Sequence, residues 1–185
     1  MGFTTELQKS KRHHDLVTIK RDRFEADRLD AIVIGFSRSV VVVHSFRDFY
    51  YDGIILIRRA DISSVYFSKT NAVQTRILED DGVLDSIDFK CQPAVSSIHE
   101  FVSWIPSDEL AMIYQESRVE PLFFLGTLEH VHETYVLGRS LTGAGRWESE
   151  PRKIELDQIT CCQLRSNYSN AYSRHLRRLD AEISK

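Results

Sequence analysis

Histidine and acidic side chains form the pattern in this chain that comes closest to a metal site. His130 and His132 lie two positions apart in an apolar segment, so both side chains would point to one face of a strand, and Glu133 follows them. Zinc needs further ligands in a tetrahedral arrangement, and the metalloprotease pattern His-Glu-x-x-His fails because position 136 holds valine. The spacing therefore indicates surface or edge histidines on a hairpin, and we predict no metal site.

Other patterns for catalysis and cofactor binding are missing from the sequence. The acidic run 79–81 is followed by Val83 and Leu84, which interrupt the alternating oxygen ligands that a calcium loop needs. No glycine-rich phosphate loop, Walker lysine motif or nucleophile elbow occurs. We therefore predict no catalytic residues, no cofactor and no enzyme activity.

Aromatic and arginine side chains are concentrated in two connections between predicted strands. The first connection, residues 47–53, contains Phe49, Tyr50 and Tyr51, and the second contains Arg146 and Trp147. These residue types are enriched at the energetic centres of protein interfaces. Aromatic side chains also close the ends of small barrels, so the same residues have a structural explanation. We take them as candidate residues for binding a partner.

Basic residues near the two ends of the chain form a second candidate surface. Lys11 and Arg12 lie in a polar N-terminal stretch, and Arg174, Arg177 and Arg178 lie in a predicted C-terminal helix. Such clusters are able to bind phosphates, although the solvated face of an amphipathic helix has the same composition. The formal net charge of −3 and the pI of about 6.2 argue against non-specific nucleic-acid binding.

Two related stretches, 52–67 and 152–164, organise the predicted fold. Each consists of a strand, a short polar turn and a second strand, and each is followed by a predicted helix. Their apolar positions correspond at an offset of 97 residues, namely Ile57 with Ile154, Ile62 with Ile159 and Phe67 with Leu164. Upstream the offset is 95, which pairs Ala31 with Gly126 and Val40 with Tyr135. The chain is therefore expected to use one small β unit twice, with these isoleucines in the core.

The remaining pattern predicts a mainly β chain with a few helices. Segments rich in β-branched residues between residues 16 and 67 predict five short strands with tight turns, which favours a small barrel because closure removes sheet edges. Helices are predicted at 71–81, 97–105 and 169–183, and a short strand at 84–89. The predicted units are an N-terminal arm that is loose or weakly helical (1–15), a first barrel plus helix (16–82), a linker with a helix (83–109) and a second barrel plus C-terminal helix (110–185).

Four segments resemble uncharacterised bacterial proteins with tandem Sm-like (SH3-like) barrels: DAIVIGFSRSVVVVHSF, DGIILIRRADISSVYF, FFLGTLEHVHETYVLGRSL and RKIELDQITCCQL. The resemblance covers roughly residues 16–175 and implies two five-stranded, strongly bent sheets. Sm proteins proper bind RNA in rings, with an Asp and an Asn at the turn between strands 2 and 3 and an Arg-Gly near strand 4. Here those turns are residues 37–39 and 132–134, which contain neither Asp nor Asn, and no Arg-Gly occurs. The resemblance therefore implies the fold without the RNA pocket.

Cysteine usage and apolar run lengths bear on the compartment. Cys161 and Cys162 are adjacent and Cys91 is alone, which is not the spacing of a disulfide framework, so a reducing compartment fits best. No apolar run approaches the length of about 18 residues that a membrane span needs. We expect a cytoplasmic protein without membrane association.

Together these patterns predict a non-enzymatic interaction module that binds a protein partner, as a monomer or small homo-oligomer. A bacterial immunity-type protein that neutralises a toxin and a regulatory protein are specific versions that no residue singles out. The alternative is an RNA-binding protein that uses Sm-like barrels and the basic clusters, with loop aromatics as stacking surfaces.

Overall fold

The computed structural model describes residues 2–24, 28–89 and 96–183. These residues form four α-helices, ten strands and several short 3-10 turns. The helices are α1 (Thr4–His13), α2 (Lys69–Asp80), α3 (Ile98–Trp104) and α4 (Asn167–Ile183). The strands are β1 (Val17–Lys20), β2 (Leu29–Phe36), β3 (Val40–Arg47), β4 (Tyr50–Arg58), β5 (Ser64–Tyr66), β6 (Ala111–Gln115), β7 (Leu122–Val131), β8 (Tyr135–Ser140), β9 (Arg152–Glu155) and β10 (Cys161–Leu164). The prediction of a mainly β chain with a few helices is confirmed.

All ten strands belong to one antiparallel sheet that does not close. The strand order is β5-β1-β2-β3-β4-β10-β6-β7-β8-β9, so β5 and β9 are the outer strands. Each half of the chain contributes five neighbouring strands, and the halves meet where β4 pairs with β10. The two separate barrels expected from the sequence are not confirmed, because the described strands form one open sheet.

Strand pairing in the second half follows the pairing in the first half. Both halves place their five strands in the same order, and both contain a β-bulge in the second strand, which increases the local twist. The corresponding features are the opposed pairs Val41–Ile57 and Val136–Ile154, and the register shifts between Val33 and Gly35 and between Leu128 and His130. These positions are related by the same offsets, 95 and 97, that the sequence shows.

The contact between the two halves depends on close backbone approach. Residues 54–57 of β4 lie opposite residues 164–161 of β10. Gly53 precedes this contact with a φ of +85°, and a Cβ added there would lie 2.0 Å from the Leu164 carbonyl oxygen. Only glycine permits both the backbone conformation and the approach. At the other end the Arg58 guanidinium donates to the carbonyl of Ile159 at 2.5 Å.

The apolar core draws on both halves. The largest cluster combines strands of the two halves with Phe101 and Val102 of α3. A second cluster consists mostly of first-half residues, among them Leu7 of α1, and also includes Cys161 of β10. The isoleucines predicted to lie in the core are at most 7% exposed: Ile57, Ile62, Ile154 and Ile159. That part of the sequence-based alignment is confirmed.

The predicted helices at 71–81, 97–105 and 169–183 are found as α2, α3 and α4, with ends that differ by no more than two residues.

The N-terminal arm is more ordered than expected, because residues 4–13 form α1. Leu7 is fully buried there, and the Ser10 hydroxyl accepts from the Val33 backbone N–H at 3.0 Å. Tertiary contacts thus stabilise a helix whose own sequence is mostly polar.

Two local predictions are wrong. Residues 84–86 form a 3-10 turn rather than a strand, because Val83 and Leu84 pack beside α2 on the cluster that contains Leu78. The connection between β3 and β4 consists of Asp48 and Phe49 instead of residues 47–53, so Gly53 lies inside β4.

Candidate interaction site

The hairpin between β3 and β4 presents two exposed aromatic side chains. Its turn residues Asp48 and Phe49 both have positive φ, 49° and 67°, as in a type I′ turn. Such turns favour Asn and Gly, and a bulky residue in this conformation is strained. Phe49 is 42% exposed and Tyr50 is 72% exposed, so the hairpin tip displays aromatic surface to solvent.

Tyr51, predicted with the other two aromatics, belongs to the fold instead. Its hydroxyl lies 3.1 Å from His44 Nδ1, and its ring centroid lies 6.0 Å from that of Phe46. Burial raises the pKa of Tyr51 to about 12 and lowers the pKa of His44 to about 4. Of the two explanations for the aromatics, Tyr51 follows the structural one.

Residues 142–151, here called the Trp147 loop, are held against α4. Within the loop, the Thr142 backbone N–H donates to the carbonyl of Arg146 at 2.9 Å. From the helix, the Tyr172 hydroxyl donates to the carbonyl of Gly143 at 2.9 Å. These bonds set the position of Trp147, whose side chain is 41% exposed.

A groove with a volume of about 610 Å³ lies between the Trp147 loop and α4, and we call it the α4 groove. Trp147 and Leu176 give it apolar surface, and Arg177 gives it a cation. Asn170 and Ser173, also on α4, add neutral hydrogen-bonding groups. The α4 groove therefore offers an aromatic contact, an aliphatic contact and a cation on one concave surface.

An ion pair at one side of the α4 groove joins the segment after β10 to the segment before β6. Arg165 Nε donates to Glu109 Oε1 at 2.9 Å and Arg165 Nη2 donates to Glu109 Oε2 at 3.1 Å. Paired guanidinium and carboxylate groups hold each other in a fixed geometry. Arg165 has a positive φ of 57°, so the chain turns sharply there before α4 begins.

The basic residues predicted as a nucleic-acid surface lie on separate helices. Lys11 and Arg12 are exposed on α1, which packs on β2 and β5 of the first half. Three arginines are exposed on α4 at spacings that place them on one helical face: Arg174, Arg177 and Arg178. Of these predicted basic residues, Arg177 lines the α4 groove together with Trp147. The structure thus brings together one residue from each of the two competing hypotheses.

Helix α4 also contacts the hairpin that carries Phe49 and Tyr50. The Asp52 carboxylate accepts from the Asn167 backbone N–H at 2.7 Å, and Asn167 Nδ2 donates to the carbonyl of Tyr51 at 3.4 Å. The groove residues begin within the next turn of the helix, which rises about 1.5 Å per residue. One helix therefore positions both aromatic surfaces.

Among the described residues, three exposed aromatic side chains were missed by the sequence-based prediction: Phe67, which is 52% exposed after β5, Phe123 and Tyr168. Phe123 is 43% exposed and Tyr168 is 48% exposed, and both line a cavity of about 280 Å³ beside Arg152. Phe123 lies in the uninterrupted apolar run 122–125, which predicts burial on both faces of a strand. Tyr168 is the second residue of α4, where its exposure depends on how the helix packs.

Potential metal ligands are dispersed in the described part of the chain, and its two cysteines are buried. No three His, Cys, Asp or Glu side chains among the described residues are placed to hold a metal ion. His132 stacks on Tyr135 with ring centroids 4.3 Å apart. Cys161 and Cys162 are buried, and burial raises the pKa of both thiols, that of Cys161 to about 12. Cys91 lies outside the described residues.

The chain matches no protein-family profile, no curated protein and no solved structure. The resemblance to tandem Sm-like barrels therefore stays a prediction from sequence. Among the described helices, none has both the length and the apolar character needed to cross a bilayer.

Proposed function

We propose that this chain is a non-enzymatic module that binds a protein partner, and that the α4 groove is its main contact surface. The observation that carries the proposal is Trp147, exposed beside Leu176 and Arg177 in one groove. Tryptophan and arginine are the residue types most often found at interface hot spots. We propose the exposed Phe49 and Tyr50, on the hairpin tied to the start of α4, as additional contacts for the partner.

For the fold, we propose that the two halves are tandem Sm-like units, each with a small five-stranded barrel and a following helix. Equal strand order, equivalent bulges and the sequence offsets of 95 and 97 support this arrangement. The free, buried thiols of Cys161 and Cys162 support a reducing, cytoplasmic location. A regulatory or immunity-type role, as a monomer or small homo-oligomer, is the form of activity that such a binding module would take.

The test measures affinity for a partner recovered by crosslinking and affinity capture from the native host. Trp147→Ala should weaken binding by about 2 kcal/mol or more, which is roughly 30-fold in Kd. Val73→Ala, which trims a side chain 60% exposed on α2, is the matched control and should leave Kd unchanged. Titration calorimetry gives both values. Equal affinity of the wild type and Trp147→Ala for every recovered partner would reject the α4 groove as the contact surface.

RNA binding is the second candidate, because α4 exposes Arg174, Arg177 and Arg178 and Trp147 offers a stacking face nearby. If RNA is the ligand, affinity should fall steeply with salt, since each neutralised phosphate releases counterions. Replacing the three arginines with Ala should then reduce both the affinity and its salt dependence. For a protein partner, the same change should mainly slow association.

A further inference from the structure

The last strands of the two halves are paired differently. β10 has neighbours on both sides, β6 and β4, whereas β5 is paired with β1 alone among the described residues. β10 holds a neighbour on each side although it contains four residues, and β5, with three residues, is of similar length. The outer side of β5 therefore corresponds to the side of β10 that β4 occupies.

The segment of β4 that pairs with β10 indicates which kind of strand the equivalent edge of β5 accepts. Residues 54–57 of β4 are all aliphatic and at most 7% exposed. The segment that pairs with β10 on this side is thus uncharged, extended and aliphatic. The edge of β5 has a similar character, because Ser64, Val65 and Tyr66 carry no charge and the following Phe67 is 52% exposed. A cavity of about 500 Å³ lies between the end of β5 and α1 and includes Tyr66 and Phe67.

A second copy of this chain is poorly suited to fill the position. The other outer strand of the described sheet is β9, and the pairs Val41–Ile57 and Val136–Ile154 align it with β4. By that alignment Arg152 and Lys153 of β9 stand where β4 has Ile55 and Leu56, and Pro151 stands in place of Ile54. Charged residues and proline are the features by which edge strands avoid pairing. β9 carries these features and β5 does not.

We infer that the outer edge of β5 is a second interaction surface, which takes up an extended, uncharged aliphatic strand of another protein by strand addition. Main-chain hydrogen bonds would supply affinity, and alternate side chains would supply specificity. This surface is separate from the α4 groove, so the two inferences can fail independently.

The probe is a synthetic peptide of residues 50–59, because that segment is the strand that occupies the matching position on β10. The full chain is titrated with it, and backbone amide exchange is followed by NMR. Amides of β5 that face away from β1 should exchange at least tenfold more slowly at saturating peptide. A control peptide of residues 150–157, which contains β9, should bind at least tenfold more weakly.

A protein variant gives the matched test. Tyr66→Lys places a charge on the β5 edge and should weaken binding of the 50–59 peptide at least tenfold. Tyr168→Lys makes the same change at a tyrosine 48% exposed on α4 and should have no effect. Thermal melts show whether each variant folds, and if Tyr66→Lys does not, exchange at β5 in the wild type decides.

Three results would overturn the inference. One is the absence of protection at β5, and another is a protected β10, which would mean that the peptide displaces β4. The third is concentration-dependent self-association of the wild type that Tyr66→Lys abolishes, since a second copy would then be the occupant.

Discussion

The Asp52 carboxylate accepts a hydrogen bond from the Asn167 backbone N–H at 2.7 Å, so a strand of the first half caps the helix that lines the α4 groove. The first N–H groups of a helix have no partner within it, and a carboxylate there satisfies one donor and interacts favourably with the helix dipole. Gln163 Nε2 donates to the Asp52 carbonyl at 2.8 Å and holds this segment in place.

Removing this cap should loosen the start of α4. We expect Asp52→Ala to lower the free energy of unfolding by about 1 kcal/mol and to speed amide exchange at residues 167–170. Asp52→Asn keeps an acceptor oxygen without the charge and should cost less. Urea unfolding measures the free energies, and equal midpoints for Asp52→Ala and the wild type would show that the bond contributes nothing.

The sequence predicts those parts of the fold that depend on local periodicity. Spacing alone predicts that Ile57 and Ile154 lie in the core, and both are fully buried. The pairing of β4 with β10 joins residues more than 100 positions apart, and alternation within either strand carries no information about which edges meet. The sequence likewise does not reveal that Trp147 and Arg177 line one groove, because this depends on how α4 packs on the sheet.

Acid should destabilise the protein through His44. The side chain is 3% exposed, its Nδ1 lies 3.1 Å from the Tyr51 hydroxyl, and burial lowers its pKa to about 4. In the unfolded chain the imidazole has a pKa of about 6.5, so between these values the unfolded state binds the extra proton. The stabilisation from the neutral ring is complete above pH 6.5 and is lost as the pH falls towards 4, by up to about 3 kcal/mol.

The measurement compares the pH dependence of the free energy of unfolding for the wild type and His44→Asn. The variant is expected to be less stable throughout, because the smaller side chain leaves space in the core, but its curve should be flatter between pH 6.5 and 4. The difference between the two curves removes the contribution of carboxylates, which also titrate in acid. Parallel curves would mean that the pKa of His44 is the same in the folded and unfolded states.

Ile159 tests the correspondence between the two halves. It directly follows the 3-10 turn at residues 156–158, as Ile62 follows the 3-10 turn at residues 59–61, and it is fully buried. Ile159→Ala should lower the free energy of unfolding by about 2–5 kcal/mol, from lost apolar burial and the cavity left behind. Val73→Ala on the exposed face of α2 should cost less than about 0.5 kcal/mol. A cost at Ile159 as small as that at Val73 would place the residue outside the core.

Phe49 should show opposite effects on stability and binding. Its φ of 67° is a conformation that glycine adopts freely and that costs other residues about 1–2 kcal/mol. We expect Phe49→Gly to raise the free energy of unfolding, by up to about 1 kcal/mol after the entropy of the flexible residue is counted. Asparagine also tolerates positive φ, so Phe49→Asn should stabilise the turn without that added flexibility.

Phe49→Gly also removes an aromatic ring that is 42% exposed. If the hairpin contributes to the proposed protein-binding surface, Phe49→Gly should weaken partner binding while the protein becomes harder to unfold. Chemical unfolding and titration calorimetry on one preparation give both values. A variant that is less stable than the wild type would mean instead that the ring packs on the hairpin, which would assign Phe49 to the fold as Tyr51 is assigned.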